Sequence, residues 1–234
     1  MAEVRVLAIE GIGEAQPGDD VATLIGDAME SGPTRESGDV VVITHKLISK
    51  AEGQIVDLED DGPDAHRFLI DREALRILRR RGPLVITQTR HGFICANAGV
   101  DRSNAGTAKA VLLPEDPDRS ANRVRLRLQH RFGVDIAVVV TDTFGRAWRR
   151  GLVDVAIGVA GMEAFDDLRG QTDTFGKILE VSEVAIVDEI ASAADLVMGK
   201  ANAIPAAIVR GVPWKPSNAG IGPMIRPAAE DMFR

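Results

Sequence analysis

The 234-residue sequence predicts an α/β fold of the mixed-sheet, α+β kind. Two observations predict it. Strand-length apolar runs such as VVVI at 40–43 and IAVVV at 136–140 recur along the chain, and such runs bounded by turn residues read as buried strands. Between them lie segments with apolar residues three and four apart, the period of a helix with one buried face. A third observation concerns organisation. No internal repeat, low-complexity tract or linker divides the chain, so one domain over residues 1–234 is expected, with a Pro/Gly-rich tail at 211–227 free to wrap a neighbouring subunit.

Taken in order, residues 4–9 alternate as a strand, and Asp19 or Asp20 can accept the free amides of a helix running to about residue 31. Ser37-Gly38-Asp39 turns into the strand at 40–43. Residues 65–81 carry Phe68, Leu69, Leu75 and Leu78 at helical spacing, with Gly82-Pro83 as a stop, and predict a helix. Strands follow at 84–87, 92–96 and 110–113. Residues 117–132 predict a basic amphipathic helix closed by Gly133. The strand at 136–140 is the most apolar, and 153–159 is another. The clearest helix is 182–200, opened by Ser182 and Glu183 and closed by Gly199-Lys200, before a last strand at 206–209.

Composition excludes some classes of function. A formal net charge of -7 argues against a general binder of nucleic acid or anionic membranes, which needs a surplus of Lys and Arg. It leaves room for local basic clusters that grip a small anion. The single cysteine, Cys95, rules out an intrachain disulfide, suits a reducing cytoplasm and, within GFICA, reads as a packed and inert thiol. The opening MAEVRVLAIEG lacks a signal peptide's plan, and no apolar run reaches the roughly 20 residues that span a bilayer. A soluble, cytoplasmic protein is expected.

Polar clusters sit where apolar strands end, the usual place for ligands in α/β proteins. EGIGEAQPGDD, at 10–20, has glycines at 11, 13 and 18 that permit close backbone approach, though it is neither a dinucleotide nor a Walker motif. Taken alone, the stretch reads better as a plain strand-to-helix turn. In VVVITHKLISKAEG, at 40–53, a strand opens into Thr44, His45, Lys46, Ser49 and Lys50, and its lysines suit phosphate oxygens. The start of a solvated helix would look the same. ANAGVDRSNAG, at 96–106, and VVVTDTFGRAWRRG, at 138–151, place Asp101 and Asp142 after apolar segments. If the two segments are neighbours, their carboxylates converge with the Thr143 hydroxyl into the oxygen set that Mg²⁺ or Mn²⁺ prefers, and scarce His and Cys disfavour zinc. Arg146, nearest to Asp142, is the candidate anion contact, ahead of Arg149 and Arg150. The simpler alternative is that each Asp caps a turn and the arginines are solvated. Trp148 reads as core or dimer packing.

Several long, ordered stretches resemble one family, the coenzyme F420-0:L-glutamate ligases, or gamma-glutamyl ligases of deazaflavin coenzyme biosynthesis. They are QPGDD (16–20), DVVVITHKLISKAEG (39–53), AGVDRSNAG (98–106), VVVTDTFGRAWRRGLVDVAIGVAGM (138–162), IVDEIASAADLVMGKA (186–201) and IRPAAEDMF (225–233). The chain is similar either to a stand-alone ligase or to the ligase domain of a bifunctional bacterial member. The resemblance implies an unusual α/β fold, an intertwined homodimer, and transfer of the γ-phosphoryl group of GTP to a carboxylate of F420-0. The amine of L-glutamate then displaces phosphate from the acyl phosphate. It further implies two divalent cations, Mn²⁺ or Mg²⁺, with K⁺ as an additional ion.

By motif, Asp101 and Asp142 would hold the first metal and Thr143 would touch the second. Asn104 would contact GTP, while Ile12, Gly13, Glu14, Ala15, Thr44, His45 and Lys50 would line the nucleotide site. There are two departures. The family's usual Thr-Ser-Lys is Thr44-His45-Lys46 here. The acid that serves the second metal in archaeal members is missing from 200–205. A GTP- and metal-binding regulatory module without activity therefore remains a second reading. An aspartyl-phosphate phosphatase is a weak third, since position 144 is Phe where that chemistry wants a second Asp.

Overall fold

The computed structural model describes residues 3–60, 62–103 and 105–232. In chain order the elements are β1 (Arg5–Ile9), α1 (Val21–Ser31), β2 (Val40–Thr44), α2 (His45–Ala51), β3 (Ile55–Asp57), α3 (Pro63–Glu73), β4 (Ala74–Arg81), β5 (Leu84–Thr89) and β6 (Ile94–Ala96). They continue with β7 (Lys109–Val111), α4 (Pro117–Phe132), β8 (Ala137–Arg146), β9 (Arg149–Ala160), β10 (Asp166–Asp167), β11 (Glu183–Val184), α5 (Ile186–Met198) and β12 (Ala206–Arg210).

A five-stranded sheet of order β1-β12-β2-β8-β9 forms the centre. Only β2 and β8 pair in parallel, Val40 with Ala137 through Thr44 with Thr141, and the other neighbours are antiparallel. Successive strand residues point to opposite faces, so a strand with no exposed residue is covered on both. The Val and Ile residues of β2 and β8 are of this kind. Helix α4 packs along β8 and β9, and α5 packs along β9, β12 and β1. A second apolar cluster of Leu69, Ile70, Val85, Ala98, Val100, Ala110 and Leu112 lies between α3, β7 and the β4-β5-β6 sheet. The architecture is thus mixed α/β with a mixed sheet. Among the described residues no helix is long and apolar enough to cross a membrane.

Local chemistry sets several boundaries. Of the two candidate caps, Asp20 accepts from Ala22 N and Thr23 Oγ1, while Asp19 accepts from Gln16 N. For α4, Asp116 accepts from Arg119 N, Pro117 sits at the start, and Gly133 closes the helix at φ 66.

Three expected elements differ. The helix predicted over 65–81 stops at Glu73, and Ala74–Arg81 is a strand paired with β5. Gly82-Pro83 is the two-residue turn of that hairpin, with Gly82 at φ 57, so pairing with LVITQT overrides the helical spacing. The helix predicted from Ser182 starts at Ile186, because Glu183 and Val184 pair with Asp167 and Asp166. The strand predicted at 136–140 does not end there but runs on to Arg146. The tail packs on its own chain: Trp214 Nε1 donates to Gly38 O at 2.9 Å, and Ile221 N donates to the Asp118 carboxylate at 3.1 Å.

Candidate functional site

The parallel strands β2 and β8 finish their pairing side by side at Thr44 and Thr141. Beyond that line β2 turns directly into α2, while β8 continues as a hairpin with β9. A cavity of about 550 Å³ opens where the two diverge, within the ~300–1,000 Å³ range of small-ligand sites. Its walls are Ile12, Gly13, Glu14 and Ala15 after β1, Thr44, Lys46, Leu47 and Lys50 of α2 and its cap, Asp142, Thr143 and Asp154 of the hairpin, and the end of α5 with its following loop to Pro205.

Helical spacing divides the labour of α2, since residues four apart share a face. Lys46 and Lys50 face the cavity, whereas His45 and Ser49 are buried beneath it. His45 is 1 % exposed, and its Nδ1 lies 3.3 Å from Ser49 Oγ. Its Nε2 comes within 3.3 Å of Asp142 Oδ1 but lacks a hydrogen-bond partner. His45 therefore backs Asp142 and, contrary to what the resemblance implied, does not line the cavity.

Lys50 pairs with the Glu14 carboxylate, joining α2 to the loop after β1. Lys46 Nζ donates to Asp101 Oδ2 and to Ser103 Oγ, each at 2.7 Å. Burial pushes the Asp101 carboxyl upward, but the Lys46 and Ser103 contacts outweigh it and hold Asp101 below its ordinary 3.8. Asp101 is not on the cavity wall; it reaches the site through Lys46. Asn104 lies outside the described residues, as does Phe233 at the end of the tail motif.

Asp154 is the acid that the sequence reading missed. It sits on β9, 4 % exposed, directly opposite Thr143. Thr143 Oγ1 donates to its Oδ1 at 2.6 Å and Thr141 Oγ1 to its Oδ2 at 3.2 Å. A bulge produces this pairing: Val140 faces Gly158 and Thr141 faces Ala156, leaving Ile157 over. The available signal was an acid inside the apolar run VDVAIGVA, the same kind of signal that singled out Asp142.

Lys200, just past α5, was also missed as a site residue. Its Nζ donates to Thr143 Oγ1 and to Asp154 Oδ1, the latter at 2.9 Å, and lies 3.5 Å from Asp195 Oδ1. Burial works against its charge, but Asp154 and Asp195 outweigh that and hold the ammonium above its ordinary 10.5.

The arginines do not join the cavity. Arg146 is exposed and donates to Arg150 O at 2.8 Å, near the hairpin tip. Four residues of strand separate it from Asp142, about 13 Å of rise, so nearness in sequence did not become nearness in space. Trp148 is 87 % exposed at φ 66, on the tip and outside this chain's core. Cys95 is buried, and burial followed by the Asp142 charge pushes its thiol up to about 12, which leaves it inert near neutrality. No group of three or more His, Cys, Asp or Glu among the described residues is arranged to hold a metal ion.

Fold and cleft together define a class: mixed α/β proteins with a ligand-sized site beyond the ends of parallel strands, where lysines and carboxylates face one cavity. Comparison with known proteins narrows the class to one family. The chain belongs to the F420-0:gamma-glutamyl ligases, whose family model matches residues 11–211. It is 40% identical over 249 aligned residues to the coenzyme F420:L-glutamate ligase of Methanothermobacter thermautotrophicus, covering 99% of both chains. The enzyme of that name from Methanopyrus kandleri is 43% identical, with 94% of each chain covered. For that of Methanocaldococcus jannaschii the identity is 39%, over 85% of this chain and 86% of the relative.

Proposed function

We propose that the protein is a ligase that joins L-glutamate through an amide bond to the deazaflavin precursor F420-0, driven by GTP and a divalent cation. Family membership supports the ligation itself, since the relatives carry the name coenzyme F420:L-glutamate ligase. One observation carries the rest. The ends of two parallel strands bring Lys46 and Lys50 to face Asp142 and Thr143 across a single cavity, beside the glycine-containing loop 11–15.

Two polyanions must meet in such a reaction. Lys50 and Lys46 are placed to offset the charge of the nucleotide phosphates, and the backbone around Gly13 allows close approach to them. The carboxylate oxygen of F420-0 attacks the γ-phosphorus, GDP leaves, and the glutamate amine then attacks the acyl carbon, expelling phosphate and losing a proton. Asp142 offers carboxylate oxygen to the cavity with the His45 ring behind it, and Asp101 is held one residue back from the wall by Lys46. In this reading a hard divalent ion would be held by Asp142 on the cavity side, with Asp101 joining it once released from Lys46. When bound it would supply charge stabilisation for the transferring phosphoryl oxygens. The Thr143 backbone N–H, donating to Asp142 Oδ1 at 2.7 Å, orients the carboxylate for that role, with the His45 ring packed behind it. The Thr143 hydroxyl, which the resemblance gives to a second cation, accepts from Lys200.

A homodimer is part of the proposal, supported by Trp148, Leu152, Phe175 and Val181, large apolar side chains left exposed on one chain. Light scattering should return twice the chain mass. The deciding experiment is mass spectrometry of products from purified protein, F420-0, L-glutamate and Mn²⁺ with GTP or ATP. A product heavier by glutamyl units, formed with GTP, supports the reading. Bound GTP with no product under any condition would turn it toward a binding module.

A further inference from the structure

We infer that Lys200 is a built-in cation standing in for the second divalent ion, so that this chain binds one metal ion per site. The inference rests on the ligase reading above and concerns how its cavity is charged.

Three oxygen groups converge beside the cavity: the Thr143 hydroxyl, the Asp154 carboxylate and the Asp195 carboxylate. That set would suit a hard divalent ion. The Lys200 ammonium already holds all three, donating to Thr143 Oγ1 and to Asp154 Oδ1 at 2.9 Å, with Asp195 Oδ1 at 3.5 Å. The hydroxyl that the resemblance assigns to the second cation already accepts from Lys200 while donating to Asp154, so any further cation there would share its oxygen with the ammonium.

The fold presents the lysine there. Gly199 ends α5 at φ 58, and a Cβ at that position would come within 2.6 Å of Asn202 Nδ2. This left-handed turn sets Lys200 just past the helix C-terminus, where the helix dipole favours a cation. The following loop, 200–205, offers no carboxylate to offset additional positive charge. A divalent ion at Thr143 would lie against a fixed ammonium, and like charges at contact repel. An ammonium is a point charge that can itself stabilise negative charge building on phosphoryl oxygens.

The test counts Mn²⁺ bound per chain, by the electron paramagnetic resonance signal of free Mn²⁺, with saturating β,γ-imido GTP. The wild-type chain should bind one ion. Lys200→Glu, which restores an acid, should bind two, and Lys200→Gln should keep one ion while losing about a hundredfold in kcat. Two ions in the wild-type chain, or one in Lys200→Glu, would overturn the inference and leave the ligase reading standing. No bound Mn²⁺ in the wild-type chain would overturn both. Full kcat in Lys200→Gln would also overturn it. Lys200 pairs with the buried Asp154, so both variants should melt below the wild type; circular dichroism at the assay temperature serves as the folding control, and ion counts and kcat are read on folded protein.

Discussion

Asp142 and Asp154 sit on paired strands, yet their partners give them different work. Asp142 accepts from Thr143 N at 2.7 Å and has the His45 ring at its back, while its carboxylate opens onto the cavity. Asp154 is spent on two threonines and a lysine. Replacing Asp142 by Asn keeps the shape and removes the charge. Asp142→Asn should therefore lower Mn²⁺-dependent kcat by about a hundredfold or more with an unchanged melting temperature; steady-state assays and calorimetry check both. Lys50 is buried apart from its cavity face and pairs with an exposed Glu14. Lys50→Ala should weaken GTP binding roughly tenfold or more, read by calorimetric titration.

Asp101 gives a pH signature. Its carboxyl is held below 3.8, so the Lys46–Asp101–Ser103 contacts contribute stability above that pH, lost as pH falls through the lowered folded value. The urea-midpoint difference between wild type and Asp101→Asn should be present at about pH 6 and shrink toward pH 3. A constant difference would remove Asp101 from the acid response. At this scale the sequence reading named side chains that do line the cavity where their place follows from a nearby strand end, as for Asp142, Thr143 and Lys50. Asp154 and Lys200 escaped it because a bulge and a helix-terminal turn bring them in. Arg146 lies off the cavity wall because closeness along an extended strand is distance in space.

At the scale of elements, what was legible had its instructions nearby. Helix α4 is announced by Asp116, Pro117 and Gly133, and the sequence placed both ends correctly. Strand β4 was not legible, because LRILRRR takes its conformation from a partner strand. Packing between elements is equally silent in sequence. Gly158 on β9 lies against the start of α4, where an added Cβ would come within 2.6 Å of the Pro117 carbonyl carbon. Gly158→Ala should force α4 away from the sheet and cost about 1–3 kcal/mol, visible as a lower denaturant midpoint. An unshifted midpoint would mean that the helix moves freely there.

For the whole molecule, the site and its structural anchor sit at opposite ends of the central strands. Arg210, at the end of β12, grips the Asp39 carboxylate with two hydrogen bonds of 2.7 and 2.8 Å, donates to Thr34 O at 2.6 Å and pairs with Glu36. Asp39 is 1 % exposed, and removing one partner of a buried pair strands the other charge. Arg210→Met should cost roughly 3–5 kcal/mol in urea unfolding, while GTP affinity in the folded fraction stays the same. The mixed α/β class and the family were legible across the chain because long ordered motifs carry both. The sheet order was not, since pairing among distant strands has no local mark.

The bulge at Ile157 makes the site depend on phase as well as on composition. Five residues separate Asp154 from Val159, an odd count that would set them on opposite faces of a regular strand, yet both lie opposite residues of one face of β8, Thr143 and Val139. Paired regularly from Val140 and Gly158 onward, the same sequence would set Val155 against Thr143 and Asp154 against Phe144. The hydroxyl would meet an isopropyl group, and Lys200 would lose the nearer of its two carboxylates. Two hairpins of identical sequence, one with the slip and one without, would differ in whether the site exists.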